Sequence, residues 1–158
     1  MALATHTVTV NAVFLQEIKE DHHELRQLMH HVAAMLERPT WMSIEFDRLV
    51  ELLANLRDQV GMHFTLEEAY GYFEDAICDA PHLNRRAEQL RAQHQGLYSL
   101  VCGLVELAEQ RLYHESGPLA VPELAECYRE FSIRFHAHES RESALILEAL
   151  SRDIGVGD

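Results

Sequence analysis

Four long apolar stripes, each stepping by three and four residues, constrain this chain more than any other feature. The first is Leu15, Ile18, His22, Leu25, Met29, Val32, Leu36, and the second Phe46, Leu49, Leu53, Leu56, Val60, His63, Glu67, Tyr70. The third is Ala87, Leu90, His94, Leu97, Val101, Leu104, Ala108, and the fourth Leu124, Tyr128, Phe131, Phe135, His138, Glu142, Leu145. That step matches the helical turn, so each stripe is one face of an amphipathic α-helix. Pro39 ends the first, because proline disfavours helical backbone at the preceding residue. Ser43, with Glu45 and Asp47 in the next turn, suits the start of the second. Cys78-Asp79-Ala80-Pro81 closes the second, the third runs from about Leu83 to His114, and Ser116-Gly117-Pro118 through Pro122 breaks the chain before the fourth, which ends before Gly155. Strand-like alternation is absent beyond the start. The expectation is an all-α, up-down-up-down antiparallel four-helix bundle over residues 13–152, with a short arm at 1–12 and a tail at 153–158.

At 158 residues the chain suits one domain with a sizeable core. Its 26 acidic against 13 basic residues, a formal net charge of −13, argue against a nucleic-acid or anionic-membrane partner, which needs a basic patch. No run of apolar residues is long enough to span a bilayer. Met1–Val10 carries no basic residue ahead of an apolar stretch, so no secretory signal is expected and a cytoplasmic location is. Cys78, Cys102 and Cys127 are odd in number and widely spaced, and read as small apolar residues rather than a disulfide frame or zinc site.

The chain has 11 histidines, and four of them, His22, His63, His94 and His138, interrupt the four stripes. Two are followed by glutamate four residues on, as His63-Phe64-Thr65-Leu66-Glu67 and His138-Glu139-Ser140-Arg141-Glu142, a pattern found at no other histidine here. A spacing of four stacks both side chains on one helix face. Residues symmetric about a hairpin turn share a level in the bundle. His63 and His94 flank the 78–83 break evenly, His94 and His138 the 115–122 break, and His22 and His63 the 38–43 break. All six side chains are therefore expected in one layer.

One histidine on an apolar stripe is commonly a hydrogen-bonded core residue. Four imidazoles and two carboxylates together, with no Lys or Arg on the stripes, would cost several kcal/mol per unpaired charge unless a cation is bound. Mixed imidazole and carboxylate donors without thiolate suit iron or manganese better than structural zinc. Six side chains exceed the need of one ion with an open position and suit two. Ferritin-type sites need E-x-x-H on two helices, and here it occurs once, at Glu20 and His23.

These residues resemble the hemerythrin-like, or HHE cation-binding, family: Asp21-His22 followed by Leu25-Arg26, His63-Phe64-Thr65-Leu66-Glu67-Glu68, His94, and His138 with Glu142, over about residues 13–150. The resemblance implies two iron ions per chain in an oxo- or hydroxo-bridged non-heme di-iron centre. His22 and His63 would hold one iron, His94 and His138 the other, and Glu67 and Glu142 would bridge. Two departures stand out. The oxygen carriers of the family place a second His four residues after the third-helix ligand, where this chain has Tyr98, and they end in H-x-x-x-x-D, where this chain has H-x-x-x-E and then Ser143. The pattern is similar to stress-response and iron-sensing members; the iron–sulfur repair members add a cysteine-bearing N-terminal domain not found here. Tyr98 is open to three readings: a phenolate ligand, a hydrogen-bond donor to a bound ligand, or packing. Tyr70 reads as packing, and Gly71 as either an access pocket or close helix packing. His23, His30, His31, His82, His114 and His136 fall off the stripes and read as surface or boundary. Glu68 and Glu139 adjoin ligands but point about 100° away around the helix, so they are expected in solvent.

The resemblance implies a protein that binds or reacts with a small oxidant, oxygen, hydrogen peroxide or nitric oxide, in oxidative or nitrosative stress handling. With one His fewer than the carriers, one iron should keep an open position, which suits redox chemistry. The alternative is a non-enzymatic sensor or carrier acting through ligand binding or metal occupancy, since metal binding supplies folding free energy. Nothing in the residues identifies a protein partner or electron donor.

Overall fold

The computed structural model describes residues 12–37, 43–69, 81–115 and 117–154. They form α1 (Ala12–Glu37), α2 (Ser43–Ala69), a 3₁₀ turn (Pro81–Leu83), α3 (Asn84–Tyr113) and α4 (Gly117–Ile154). The helices pack as a ring, α1 on α2, α2 on α3, α3 on α4 and α4 back on α1, with a lesser contact across the diagonal from α2 to α4. This is an all-α four-helix bundle, as the stripes required.

The stripes are the buried faces. Leu25, Met29, Val32 and Leu36 of α1 meet Phe46, Leu49, Leu53, Leu56 and Val60 of α2, together with Leu97, Val101 and Leu104 of α3 and Leu124, Phe131 and Phe135 of α4. Burying side chains of this size contributes about 1.5–3 kcal/mol each, which makes this cluster the main source of stability. The Tyr128 hydroxyl, buried on the same stripe, donates to the Met29 carbonyl at 2.8 Å and so ties α4 to α1. A smaller apolar cluster, Leu83, Ala87, Leu90, Leu145 and Ala149, closes α3 against α4. The histidines lie between the two clusters in sequence on both helices: Leu90, His94, Leu97 on α3 and Phe135, His138, Leu145 on α4. A polar layer is thus enclosed by apolar residues.

Two boundaries differ from expectation. α4 begins at Gly117 and contains Pro122, so the predicted break through Pro122 shrinks to a tight turn. Pro118 occupies the second helical position, where a missing N–H costs nothing. Pro122 forfeits one helical hydrogen bond on an exposed face, a cost that the packing of α4 absorbs. The turn is made by His114 and Glu115, whose amides donate to the Gln110 and Leu112 carbonyls at 3.1 Å, with Glu115 at a left-handed φ of 54°. The same helix ends at Ile154, before Gly155 as expected, and so takes in the first two residues of the segment assigned to the tail. The arm, the side chains of Leu15 and Ile18, the break at 38–42 and the 70–80 connection with Tyr70, Gly71 and Cys78 lie outside the described residues.

Candidate metal centre

Helical spacing turns the two H-x-x-x-E segments toward the bundle axis. His63 and Glu67 of α2 are 2 % and 3 % exposed, His94 of α3 4 %, and His138 and Glu142 of α4 1 % and 3 %. His22 of α1 is half-buried, with its side chain 24 % exposed. The structure gathers the donor atoms into two groups, Glu67 with His94, His138 and Glu142, and His22 with His63 and Glu139.

Glu67 links the groups. One of its carboxylate oxygens lies 2.8 Å from His63 Nε2 and the other 3.2 Å from His94 Nε2. His63 Nε2 is also 3.0 Å from Glu139 Oε1, while Glu139 Oε2 is 3.1 Å from His22 Nδ1. On the other side, Glu142 Oε1 lies 2.8 Å from His138 Nε2 and 3.5 Å from His94 Nε2. Several imidazole nitrogens therefore each face two carboxyl groups, and one N–H cannot serve two acceptors well. Two buried atoms of the cluster, Glu67 Oε2 and His138 Nε2, lie close to His94 Nε2 and Glu142 Oε1 without good hydrogen-bond geometry. A buried carboxylate oxygen and an imidazole nitrogen left over among other donors fit a cation between them, since such atoms otherwise forfeit the hydrogen bonds they had in water.

The outer nitrogens are anchored. His138 Nδ1 donates to Gln93 Oε1 at 3.0 Å, and His94 Nδ1 meets Glu68 Oε1 at 2.9 Å. Such partners fix the tautomer and aim the other nitrogen inward, as in ligating histidines. The Phe64 ring stacks flat on His94 with centroids 4.2 Å apart and stands edge-on to His138 at 5.7 Å. It holds both imidazoles in place.

One expectation is corrected here. Glu139 is not in solvent: its side chain is 13 % exposed and sits between His22 and His63. Its long side chain swings back from the flank of α4 toward α1, across a boundary that a single-helix projection omits. Glu68 is exposed, as expected, and from there also engages His94. Of the two carboxylates expected to bridge, Glu142 is gathered with Glu67, His94 and His138, and Glu67 also faces His63. Sequence reasoning also missed Gln93 and Phe64. The adjacency of Gln93 to His94, facing the neighbouring helix, was the available signal for one, and the apolar Phe64 inside the histidine segment for the other.

Tyr98 stands apart. It is 39 % exposed and packs against Gly61, where an added Cβ would meet its Cε2 at 3.2 Å. Its hydroxyl pairs with the Cys102 thiol one turn further along α3, which raises the phenol above its ordinary value. It lines a cleft of about 660 Å³ with Gly61, Phe64, Glu68 and His94. Of its three readings, packing is the one these contacts describe. Cys102 and Cys127 are free and half-buried. His23, His30, His31, His82, His114 and His136 are exposed, as is Glu20, which leaves the E-x-x-H pair off the axis.

The cluster also pairs internally. Burial alone would lower the His94 imidazolium, but its hydrogen bonds to Glu142, Glu67 and Glu68 outweigh that and raise it to about 10. Burial likewise pushes Glu139 up, yet His22 and His63 hold it at about 2. Glu67 is shifted the same way, burial being outweighed by hydrogen bonds from His63 and His94. In the metal-free cluster the His94 proton thus offsets part of the carboxylate charge around it.

A family model, the hemerythrin HHE cation-binding domain, matches residues 13–150. The chain belongs to the hemerythrin HHE cation-binding family. The match spans every helix that contributes to the cluster, and the buried His/Glu layer is the place this hemerythrin-like bundle offers a cation. Comparison with curated proteins and with solved structures gave no match. Among the described residues no helix is long and apolar enough to cross a membrane.

Proposed function

We propose that this protein holds two iron ions, one at His22, His63 and Glu139 and one at His94, His138 and Glu142, joined by Glu67, and that it binds or reacts with a small oxidant there. The observation that carries this reading is the division of the buried donors into two groups sharing one carboxylate whose oxygens face opposite groups. Nitrogen and oxygen donors without thiolate favour iron or manganese over zinc. Iron would supply a redox-active Lewis acid for oxygen, hydrogen peroxide or nitric oxide. The protein's part is to orient the imidazoles through Gln93, Glu68 and Phe64 and to keep bulk water out with the two apolar clusters. We place this activity in oxidative or nitrosative stress handling in the cytoplasm, with no nucleic-acid or membrane partner.

Anaerobic loading with ferrous iron followed by metal analysis should give two iron ions per chain, and the loaded protein should consume peroxide over many turnovers. Tight zinc binding with no iron uptake would sink the di-iron reading. Reversible oxygenation with no peroxide turnover would instead favour the carrier or sensor.

A further inference from the structure

The two donor groups are unequal in ways the family pattern does not dictate. The inner group has four protein donors, Glu67, His94, His138 and Glu142, all no more than 4 % exposed, drawn from α2, α3 and α4. The outer group shares Glu67 and adds His22, His63 and Glu139, of which His22 is 24 % and Glu139 13 % exposed. One of these donors, His22, rides on α1. Inner-group imidazoles are fixed from behind by Gln93 and Glu68 and by the stacked Phe64 ring.

We propose that the centre is kinetically asymmetric: the outer site exchanges its metal with solvent while the inner site retains its own, and Glu139 is the carboxylate that holds the exchanging ion. This rests on the two-metal reading above. A departing ion must shed its ligands one at a time while water or a chelator takes their places. That replacement is easier where the donors themselves are reached by solvent, as His22 and Glu139 are. Glu67 alone cannot hold the outer ion, because its second oxygen faces His94. Glu139 has both oxygens directed at outer-group nitrogens, within 3.1 Å. Removing its charge therefore takes from the outer site the one carboxylate not shared with the inner site.

The test is anaerobic loading with ferrous iron, then a rapid challenge with excess ferrozine, followed by the absorbance of the iron chelate. Wild type should release one equivalent quickly and one slowly. Glu139→Gln keeps the size and hydrogen-bonding reach of the side chain, so the bundle should fold, which circular dichroism checks. It should lose the fast equivalent or weaken its binding at least about 100-fold, the upper end for a mere supporting partner, with the slow phase unchanged. Glu142→Gln should accelerate the slow phase. Wild type that takes up no iron refutes the two-metal reading and this inference with it. Two iron ions leaving in a single phase, one iron per chain, or a fast phase untouched by Glu139→Gln overturns the asymmetry or the role of Glu139.

Discussion

Replacing Glu67 probes the centre most directly, because its carboxylate is 3 % exposed and lies between two imidazoles 2.8 and 3.2 Å away. Glu67→Gln preserves the shape and removes the charge that holds His63 and His94. Breaking a buried ion pair by removing one partner costs about 3–5 kcal/mol. Here the lower end, about 3 kcal/mol, applies in the metal-free protein, because Glu68 and Glu142 still face His94. For a chain of this size each kcal/mol moves the melting temperature by about 2–4 °C, so a fall of roughly 6–12 °C follows. Glu67→Ala should fall further, since it adds a cavity to the lost charge. The metal-loaded form should lose more than the metal-free form, as both groups lose a donor. The assay is scanning calorimetry of loaded and chelator-treated protein, with metal content measured on the same samples. A Glu67→Gln protein with unchanged metal content and a melting temperature within about 2 °C of wild type would refute the bridging role and the energetic argument together.

The metal-free protein should be most stable to urea between about pH 4.5 and 6.5. The His94 contribution is complete below its ordinary 6.5 and is lost as pH rises through about 10, while that of Glu139 is complete above its ordinary 4.5 and is lost as pH falls toward about 2. A midpoint that climbs steadily from pH 5 to 9 would contradict this. Metal uptake at neutral pH must displace the His94 proton, so titration calorimetry in buffers of different ionisation enthalpy should register proton release. Gln93→Leu removes the acceptor of His138 Nδ1 and should weaken metal binding by about 10–100-fold with little change in helicity. Tyr98→Phe should leave metal content and the visible spectrum of the iron-loaded protein unchanged, because the hydroxyl is engaged with Cys102; loss of a charge-transfer band would return the phenolate to the ligand set.

How much of this was legible in the residues depends on the range of the interaction involved. Helical periodicity is a local property, so the four stripes gave the bundle and the inward residues from Leu25 to Leu145. Symmetry about the breaks then brought His22, His63, His94, His138, Glu67 and Glu142 to one level. The absence of Lys and Arg from the stripes is legible in the sequence, whereas the proton that His94 holds among Glu142, Glu67 and Glu68 in the metal-free cluster depends on contacts between helices. Pro122 misled because a proline's cost is local while the packing of α4 that outweighs it is not. Glu139 was misplaced for a related reason. Its helical angle puts it on the flank of α4, but a flank position becomes a site position only when α1 and α2 present His22 and His63 at the right distance. Tyr98 shows the converse, since four residues from His94 is the right spacing for a ligand, yet Gly61 opens room for the ring on the outer face and Cys102 takes its hydroxyl. Sequence by itself determined which residues turn inward and at which level, because that follows from the period of one helix. Only the tertiary structure decided which carboxylate spans the two groups and which completes the outer one, because those depend on side-chain reach between helices.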